Sequence, residues 1–248
     1  MKSCTEYLVS DVLPLDAQVV ATLEKVTTAT ITTILLKKGL RNVWMRGTRP
    51  IRPGQARKVG RAFTLRFVPA REDLATPESW SSPTSTRAAI EAMPAGVIAL
   101  ADARGETDAG IFGDILCARM VKRQVTALVT DGVLRDMAGV LGTGLSVWCN
   151  GAAAPSSVAA LTFIDWQQPI GCGGVAVLPN DVVVADDDGA VCIPQALLDD
   201  VVSLAPEQER MEGWIMQEVD RGLPLPGLYP MNAETRQRYE TWTKKNPK

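Results

Sequence analysis

The sequence predicts an α/β fold, because apolar runs of strand length alternate with segments of helical periodicity. Three stretches carry this prediction. Residues 58–68 alternate apolar and polar side chains, residues 113–136 change from a helical period to a strand, and residues 195–221 have the length and flanking signals of a helix. We predict one main domain over residues 1–222 and a proline-rich tail over residues 223–248, with a short charged helix at 233–245.

Residues 16–38 predict two helices. Asp16 is a suitable N-cap for the first helix, and apolar residues follow it at helical spacing. A threonine-rich patch interrupts this pattern near Thr27, so a second helix is expected there, capped by Thr28 or Thr30. Gly39 is expected to end it.

The middle of the chain predicts two strands separated by an irregular segment. On the strand at 58–68, Phe63, Leu65 and Phe67 share one face. Residues 69–83 are polar and rich in proline and serine, which predicts a loop before a short helix at 85–93. Residues 96–101 predict a buried strand. The size of a substrate pocket is expected to depend on the insertion at 71–94 and on the glycine-rich loop at 171–174.

The last third predicts short strands and one long helix. The strands are expected at 145–149, 156–165, 175–178, 181–185 and 190–193. Three successive aspartates at 186–188 suggest a metal site, but an Asp-Gly hairpin turn explains them more simply. Pro194 begins the final helix, and Pro206 is expected to break it near Ala205.

Composition narrows the classes of function. The 248 residues are 46% hydrophobic and 22% charged, and the net charge of −2 gives no general argument for binding nucleic acid or a membrane. The first residues lack an apolar core of signal-peptide length, and no run approaches the ~18 apolar residues of a membrane span. A cytoplasmic location is therefore expected.

The histidine and cysteine content restricts the chemistry further. The absence of histidine excludes a Ser-His-Asp triad, a Cys-His pair and histidine-ligated zinc or iron. Five scattered cysteines without a C-x-x-C pair predict reduced, mostly buried thiols. Cys172 lies in a glycine-rich loop, where a structural role is favoured. Any bound metal is expected to have oxygen ligands.

Residues 37–71 hold eleven lysines or arginines and no acidic residue. This asymmetry suggests a surface for RNA or a phosphorylated partner. Aromatic residues that could stack on bases are few, however, so we favour a solvated loop or an interface with acids of a neighbouring subunit. No glycine-rich nucleotide-binding motif is present.

The stretch 113–136 is the most informative one for function. Leu116, Cys117 and Met120 lie at helical spacing, and an apolar run at 125–129 then predicts a buried strand. The helix takes the chain away and the strand returns it, so the loops at the two ends are expected to meet. Gly113-Asp114 lies at one end and Arg135-Asp136 lies at the other.

These ends combine three kinds of chemistry. The backbone N–H groups of Gly113, Asp114, Ile115 and Leu116 at a helix N-terminus can hold an anion. Arg135 offers a planar fork for a carboxylate, and Asp136 is a hard oxygen ligand for Mg²⁺ or Mn²⁺. Together they suggest a small anionic substrate. The alternative is a surface helix, a core strand and a turn with solvated charges.

The spacing Gly-Asp, twenty residues, Arg-Asp resembles the signature of one family. That family comprises 4-hydroxy-4-methyl-2-oxoglutarate aldolases with oxaloacetate decarboxylase activity and the regulator of ribonuclease activity A proteins. The stretches 28–30, 52–54, 59–64, 179–181 and 186–189 also resemble the family, although Asn180 replaces its usual glycine. The resemblance covers about residues 20–222, and it does not separate aldolase from regulator.

The resemblance implies a swivelling β/β/α sandwich assembled as a homotrimer or homohexamer, with sites at subunit interfaces. It implies a Mg²⁺- or Mn²⁺-dependent lyase that cleaves a carbon–carbon bond of a 2-oxo acid and releases pyruvate. Asp136 would anchor the metal, Arg135 would pair with the substrate, and Asp114 would orient a water or Arg135. A glutamate of the last helix, Glu212, would reach a neighbouring subunit's site.

Two alternatives remain open at this point. The protein is either such a lyase or a non-catalytic regulator that binds a ribonuclease or helicase, because regulators of this family can keep Arg135 and Asp136. A lyase or dehydratase acting on another sugar acid or 2-oxo acid is also compatible with the motif.

Overall fold

The computed structural model describes residues 11–247. Its helices are α1 (Ala17–Leu23), α2 (Thr28–Lys37), α3 (Thr86–Ala92), α4 (Asp114–Lys122), α5 (Met137–Thr143), α6 (Leu198–Asp220) and α7 (Ala233–Lys245). Its strands are β1 (Trp44–Met45), β2 (Arg49–Pro50), β3 (Lys58–Pro69), β4 (Ile98–Asp102), β5 (Ala127–Thr130), β6 (Val147–Cys149), β7 (Leu161–Trp166), β8 (Val182–Asp186) and β9 (Gly189–Ile193).

The strands form one curled sheet with the order β1-β9-β8-β3-β4-β5-β6-β2. Strands β3, β4, β5 and β6 run parallel, and helices connect β4 to β5 and β5 to β6. Strands β8 and β9 form an antiparallel hairpin that continues the sheet on the other side of β3.

The long strand β3 makes the sheet curl, because its two ends have different neighbours on one edge. Its first half pairs with β8 from Lys58 to Arg61, and its second half pairs with β7 from Leu65 to Pro69. A register shift between Arg66 and Phe67 marks a bulge, which increases the local twist. The result is a half-barrel, which confirms the predicted α/β fold.

Three apolar clusters pack against the two faces of the sheet. The concave side of the sheet holds residues of both halves, including Trp148, Ile98 and Cys192. The convex side of the parallel half packs against α3, α4 and α5, and that of the antiparallel half packs against α1, α2 and α6. The predicted face of Phe63, Leu65 and Phe67 lies in the cluster under α3 and α4.

Most predicted elements are confirmed, but the cap of the second helix and the strand expected at 175–178 are wrong. The second helix is capped by Thr27, whose side chain accepts a hydrogen bond from the N–H of Thr30, and not by Thr28 or Thr30. Residues 175–178 form no strand, since Val177 makes only an isolated bridge to Ile170. The hairpin at 186–189 is confirmed by the pairing of Asp186 with Gly189.

Helix α6 also continues through Pro206, where a break was predicted. The segment after the proline is held from two sides. Glu209 accepts hydrogen bonds from the N–H and hydroxyl of Thr27, and Glu207 accepts one from the Tyr239 hydroxyl. These contacts fix the next turn of the helix, so the missing proline N–H does not separate its halves.

The C-terminal half of α6 forms a small unit with α7. Trp214, Ile215, Leu228 and Tyr239 make its apolar cluster. The buried Glu218 pairs with Arg221 at the end of α6 and with Arg238 of α7. The predicted tail helix is therefore present and packs on α6.

Within the described residues no single helix is long and apolar enough to cross a membrane. The pair α1 and α2 has the combined length and composition, but it is bent by 102°.

Candidate active site

The stretch 113–136, which we call the central unit, has its two ends close together in the structure. The loop at 110–113 runs beside the turn at 133–136. The N–H of Ile111 donates to the carbonyl of Val133 at 3.0 Å, and the N–H of Arg135 donates to the carbonyl of Phe112 at 3.0 Å. This backbone pairing brings Gly113-Asp114 and Arg135-Asp136 together, as their positions on either side of α4 and β5 predicted.

Glycines make this close approach possible. A Cβ atom at Gly110 would lie 2.6 Å from the backbone nitrogen of Arg135, and a Cβ atom at Gly113 would lie 2.8 Å from Oδ2 of Asp136. Neither glycine has a positive φ. Both are therefore required by the space they leave and not by backbone conformation.

Asp136 combines a strained backbone with an available carboxylate. Its φ of 54° and ψ of 42° place it in the left-handed region, which aspartate tolerates better than most residues. It lies at the N-cap of α5, but its side chain accepts no capping hydrogen bond. Its Oδ2 lies 3.2 Å from Nε of Arg135, and 50% of its side chain is exposed.

The N-terminus of α4 offers backbone donors beside this carboxylate. Gly113 is the N-cap, and no side chain caps the helix. The N–H of Ile115 donates to Oδ1 of Asp114 at 2.7 Å. No acceptor among residues 11–247 pairs with the N–H of Asp114 or Leu116. These groups are free to bind an anion.

Asp114 forms no hydrogen bond or ion pair with Arg135, which pairs with Asp136 instead. Its Oδ2 lies where a Cβ atom of Gly139 would be only 2.5 Å away, so the carboxylate is packed between α4 and α5. The structure places it beside the candidate site, in contact with the first turn of both helices. Its two predicted roles, orienting a water and orienting Arg135, stay predictions.

A cleft of about 290 Å³ joins these groups. Besides the predicted residues, its wall includes Trp80, Arg87, Ser156 and Ser157. No sequence motif singled out these four residues: Trp80 lies in the irregular segment 69–83, Arg87 lies in the short helix expected at 85–93, and the two serines begin the strand expected at 156–165. Glu212 does not line the cleft of its own chain; it accepts a hydrogen bond from Nε2 of Gln208 at 2.6 Å.

Comparisons with known proteins identify the family. A family model described as RraA-like, Aldolase/RraA, matches residues 25–192. The chain belongs to the Aldolase/RraA family. Streptomyces coelicolor RraAS2, described as an unusual member of the RNase ES inhibitor RraA protein family, superposes with a TM-score of 0.74 at 31% identity. That alignment covers 82% of this chain and 98% of RraAS2.

Two curated relatives show why the family does not settle the activity. A Halalkalibacterium halodurans protein with the provisional name 4-hydroxy-4-methyl-2-oxoglutarate aldolase is 31% identical over 50% of this chain and 58% of its own length. Protein DlpA of Legionella pneumophila is 27% identical over 58% of this chain but only 23% of its own length. The chain thus spans less than two thirds of both relatives, and the family contains names of both aldolases and ribonuclease inhibitors.

The donor set of this family member fits a hard cation held mainly through water and substrate. No group of three or more cysteine or acidic side chains close enough to enclose a metal occurs among residues 11–247. Mg²⁺ commonly takes only one or two protein carboxylates and completes its shell with water and substrate oxygens. Asp136 is such a carboxylate, and half of its side chain is exposed.

A second, larger cleft of about 460 Å³ lies nearby and has a different character. Its floor is Asp131, which is 5% exposed and accepts hydrogen bonds from the N–H groups of Ala103, Gly105 and Gly173. Burial raises the pKa of Asp131, against the opposing effect of these three bonds. Because both carboxylate oxygens accept backbone hydrogen bonds, Asp131 ties its own loop to the loops at 103–105 and 171–174.

The glycine-rich loop at 171–174 belongs to this second cleft. Its backbone closely approaches Arg46, whose backbone nitrogen would lie 2.5 Å from a Cβ atom at Gly173. Cys172 is fully buried, and burial raises the pKa of its thiol well above the ordinary value. These features support the structural role favoured for Cys172. The three other described cysteines are also free and buried, and Cys4 lies outside the described residues.

Proposed function

We propose that this protein is a divalent-metal-dependent carbon–carbon lyase acting on 2-oxo acids, of the 4-hydroxy-4-methyl-2-oxoglutarate aldolase and oxaloacetate decarboxylase type. One observation carries the proposal. Free backbone N–H groups of α4, the guanidinium of Arg135 and the carboxylate of Asp136 converge on one cleft. Together they can hold a carboxylate and an adjacent keto oxygen.

The substrate carboxylate would lie at the start of α4. There the N–H groups of Asp114 and Leu116 donate hydrogen bonds, and the helix dipole favours negative charge. Arg135 adds a charged donor and offsets part of the substrate's charge. These contacts hold the 2-oxo acid in one orientation, with its reacting bond directed along the cleft.

Asp136, with waters and substrate oxygens, would hold Mg²⁺ or Mn²⁺. Such an ion supplies positive charge against the negative charge that carbon–carbon cleavage leaves on the pyruvyl unit. Asp114, packed on Gly139, would hold the water that takes the 4-hydroxyl proton of an aldol substrate. As the C3–C4 bond breaks, the 4-hydroxyl would become a keto group, C3 would take up the proton from that water, and pyruvate would be released.

We further propose a homotrimer or homohexamer in which Glu212 reaches the cleft of a neighbouring subunit as ligand or base. One observation supports this arrangement: Glu212 lies on α6, away from its own cleft. Light scattering gives the subunit number. Mixing Glu212→Ala with Asp136→Ala subunits tests the shared site, because a mixed oligomer would regain part of the activity lost in each parent. A cytoplasmic location is proposed with it.

The direct test of lyase chemistry is pyruvate release from oxaloacetate and from 4-hydroxy-4-methyl-2-oxoglutarate, with Mg²⁺ or with EDTA. We expect release that depends on the metal. Absence of release from both acids by folded protein would contradict the proposal and favour another 2-oxo acid or sugar acid, or a binding role.

A regulator that binds a ribonuclease is the second candidate, and similarity to RraAS2 over 82% of the chain favours it. Its binding surface would include exposed arginines of the basic stretch, such as Arg41, Arg46 and Arg49. Charge reversal at these positions should then abolish co-purification with a ribonuclease and leave pyruvate release unchanged.

A further inference from the structure

We propose that Arg87, stacked on Trp80, binds a second carboxylate of the substrate, so that the cleft selects dicarboxylic over monocarboxylic 2-oxo acids. This inference rests on the proposed function, because it assigns the first carboxylate to the start of α4 and to Arg135. It adds a second arginine that lines the same cleft.

The two residues come from adjacent segments. Trp80 lies on a short 3₁₀ turn, Pro77–Ser81, inside the insertion, and Arg87 lies in the first turn of α3. Cζ of Arg87 lies 5.0 Å from the centre of the Trp80 ring. Both side chains line the 290 Å³ cleft together with Arg135 and the start of α4.

Arg87 has no acidic partner among the described residues, and the helix shows why. Glu91 lies one turn further along α3, at the spacing that usually gives an intrahelical ion pair. Both of its carboxylate oxygens instead accept hydrogen bonds from Arg119 of α4, each at 2.7 Å. Arg71, at the other end of the insertion, is likewise paired with Asp73. Arg87 therefore keeps its charge available for a ligand.

Stacking prepares this guanidinium for a carboxylate. An arginine that lies over an aromatic face keeps its N–H groups at the edge of the stack, where they can form two parallel bonds to one carboxylate. The ring also restricts the side chain, so less conformational entropy is lost on binding. Trp80 is half-buried, which gives the stack a fixed base.

The rest of the cleft suits a short diacid. Its volume of about 290 Å³ lies near the lower limit of small-molecule sites, roughly 300 Å³. Ser156 and Ser157 line it as well, and their hydroxyls are available as neutral donors. The two arginines that line the cleft, Arg87 and Arg135, match the two negative charges of a dicarboxylate. A monocarboxylate would leave Arg87 unpaired.

Two acids of equal chain length test this inference. 2-Oxoglutarate and 2-oxopentanoate differ in their second carboxylate, and titration calorimetry with Mg²⁺ compares their affinities. Arg87→Ala should weaken 2-oxoglutarate binding by about 10- to 100-fold, the range for losing a hydrogen bond to a charged group. Binding of 2-oxopentanoate should change less than about twofold, since it makes no such bond.

Two further variants sharpen the result. Arg236→Ala removes an exposed arginine of α7, outside the cleft, and should leave the ratio of the two affinities unchanged. Trp80→Ala should weaken 2-oxoglutarate binding less than Arg87→Ala does, and Trp80→Phe should retain most of it, because a phenyl ring still supports the guanidinium. Arg87 is exposed, so its replacement is expected to leave the unfolding temperature unchanged.

The outcomes separate this inference from the proposed function. Pyruvate release by the wild type, with equal affinities in wild type and Arg87→Ala, would overturn the inference alone. A loss restricted to 2-oxoglutarate, in a protein that releases no pyruvate, would overturn the lyase and support the second carboxylate site. Failure of the wild type to bind 2-oxoglutarate would overturn the inference, and pyruvate release would then decide the proposed function by itself.

Discussion

Asp131 and Asp136 lie five residues apart in the segment that follows β5, and their carboxylates have opposite surroundings. Asp131 is buried, and three backbone N–H groups from two other loops occupy its oxygens. Asp136 is half exposed, and its only side-chain partner among residues 11–247 is the adjacent Arg135. Asp131 therefore connects neighbouring loops, and Asp136 leaves part of its carboxylate open to a ligand.

The backbone differs in the same way. Asp136 has a left-handed conformation, which costs on the order of 1 kcal/mol for a residue with a side chain, although less for aspartate. The backbone of Asp131, by contrast, has no positive φ angle. A strained backbone at a half-exposed carboxylate is better explained by a ligand than by stability, whereas the buried, hydrogen-bonded Asp131 contributes to stability. The predictions below test this division, beginning with the largest effect.

Asp136→Asn should reduce metal-dependent pyruvate release by at least about 10³-fold, since the loss of a metal carboxylate removes several kcal/mol of transition-state stabilisation. Asparagine tolerates the left-handed backbone, so the unfolding temperature should stay within a few degrees of wild type. Steady-state kinetics and thermal unfolding measure both effects. The exposed Asp108→Asn, in the loop before α4, is the matched control, and retained activity in Asp136→Asn would refute the assignment.

Arg135→Ala should reduce turnover by about 10²–10³-fold, the scale for removing one charged or oxyanion-type donor. Arg135→Lys should recover part of this loss, because lysine keeps the charge but not the planar fork. Kinetics of the three proteins at saturating Mg²⁺ give the comparison. Equal activity of Arg135→Ala and wild type would mean that the N–H groups of α4 hold the substrate without it.

Asp131→Asn should act on stability. One amide oxygen can replace part of the carboxylate, but the amide NH₂ must then face a backbone N–H. We expect a loss of about 1–3 kcal/mol in the free energy of unfolding, the range for one buried unsatisfied polar group. Chemical denaturation measures it, with Asp108→Asn again as control. A stable variant without lyase activity would instead place Asp131 in the catalytic machinery.

Gly113→Ala tests the space between the two ends of the central unit. The new methyl group would lie 2.8 Å from Oδ2 of Asp136, so the carboxylate must move by a few tenths of an ångström. Since a shift of 1 Å can cost about 10²-fold in rate, we expect roughly a 10-fold loss. Gly142→Ala in α5 meets no neighbouring atom and should leave activity unchanged. Equal rates in both variants would show that Asp136 is not positioned by this contact.

The sequence predicted the parts of the fold that depend on local pattern. The change of period at 113–136 identified α4 and β5, and the alternation at 58–68 identified β3. It did not predict that β3 has two partners on one edge, because pairing depends on distant strands. Pro206 was misjudged for a similar reason, since contacts from Thr27 and Tyr239 fix the helix beyond it.

Some residues of the candidate site were likewise predicted from the sequence, and others were not. Arg135, Asp136 and the start of α4 were expected to meet because a helix and a strand of known direction separate them, and they do meet; their roles remain predictions. Trp80 and Arg87 were not foreseen. The segment at 69–83 has no periodicity, and only the folded chain shows that Arg119 takes the partner expected for Arg87.

The pH dependence of stability gives the smallest effect and separates the two aspartates without kinetics. Burial, with a contribution from the nearby Asp102, raises the pKa of folded Asp131 above its ordinary value of 3.8. A raised carboxyl pKa adds stability at low pH, and this stability is lost as the pH rises through the folded pKa. On acidification towards 3.8 the wild type therefore gains stability that Asp131→Asn cannot gain. The difference between their free energies of unfolding should widen, and a difference that stays constant from pH 7 to 4 would show that Asp131 titrates as an ordinary carboxyl.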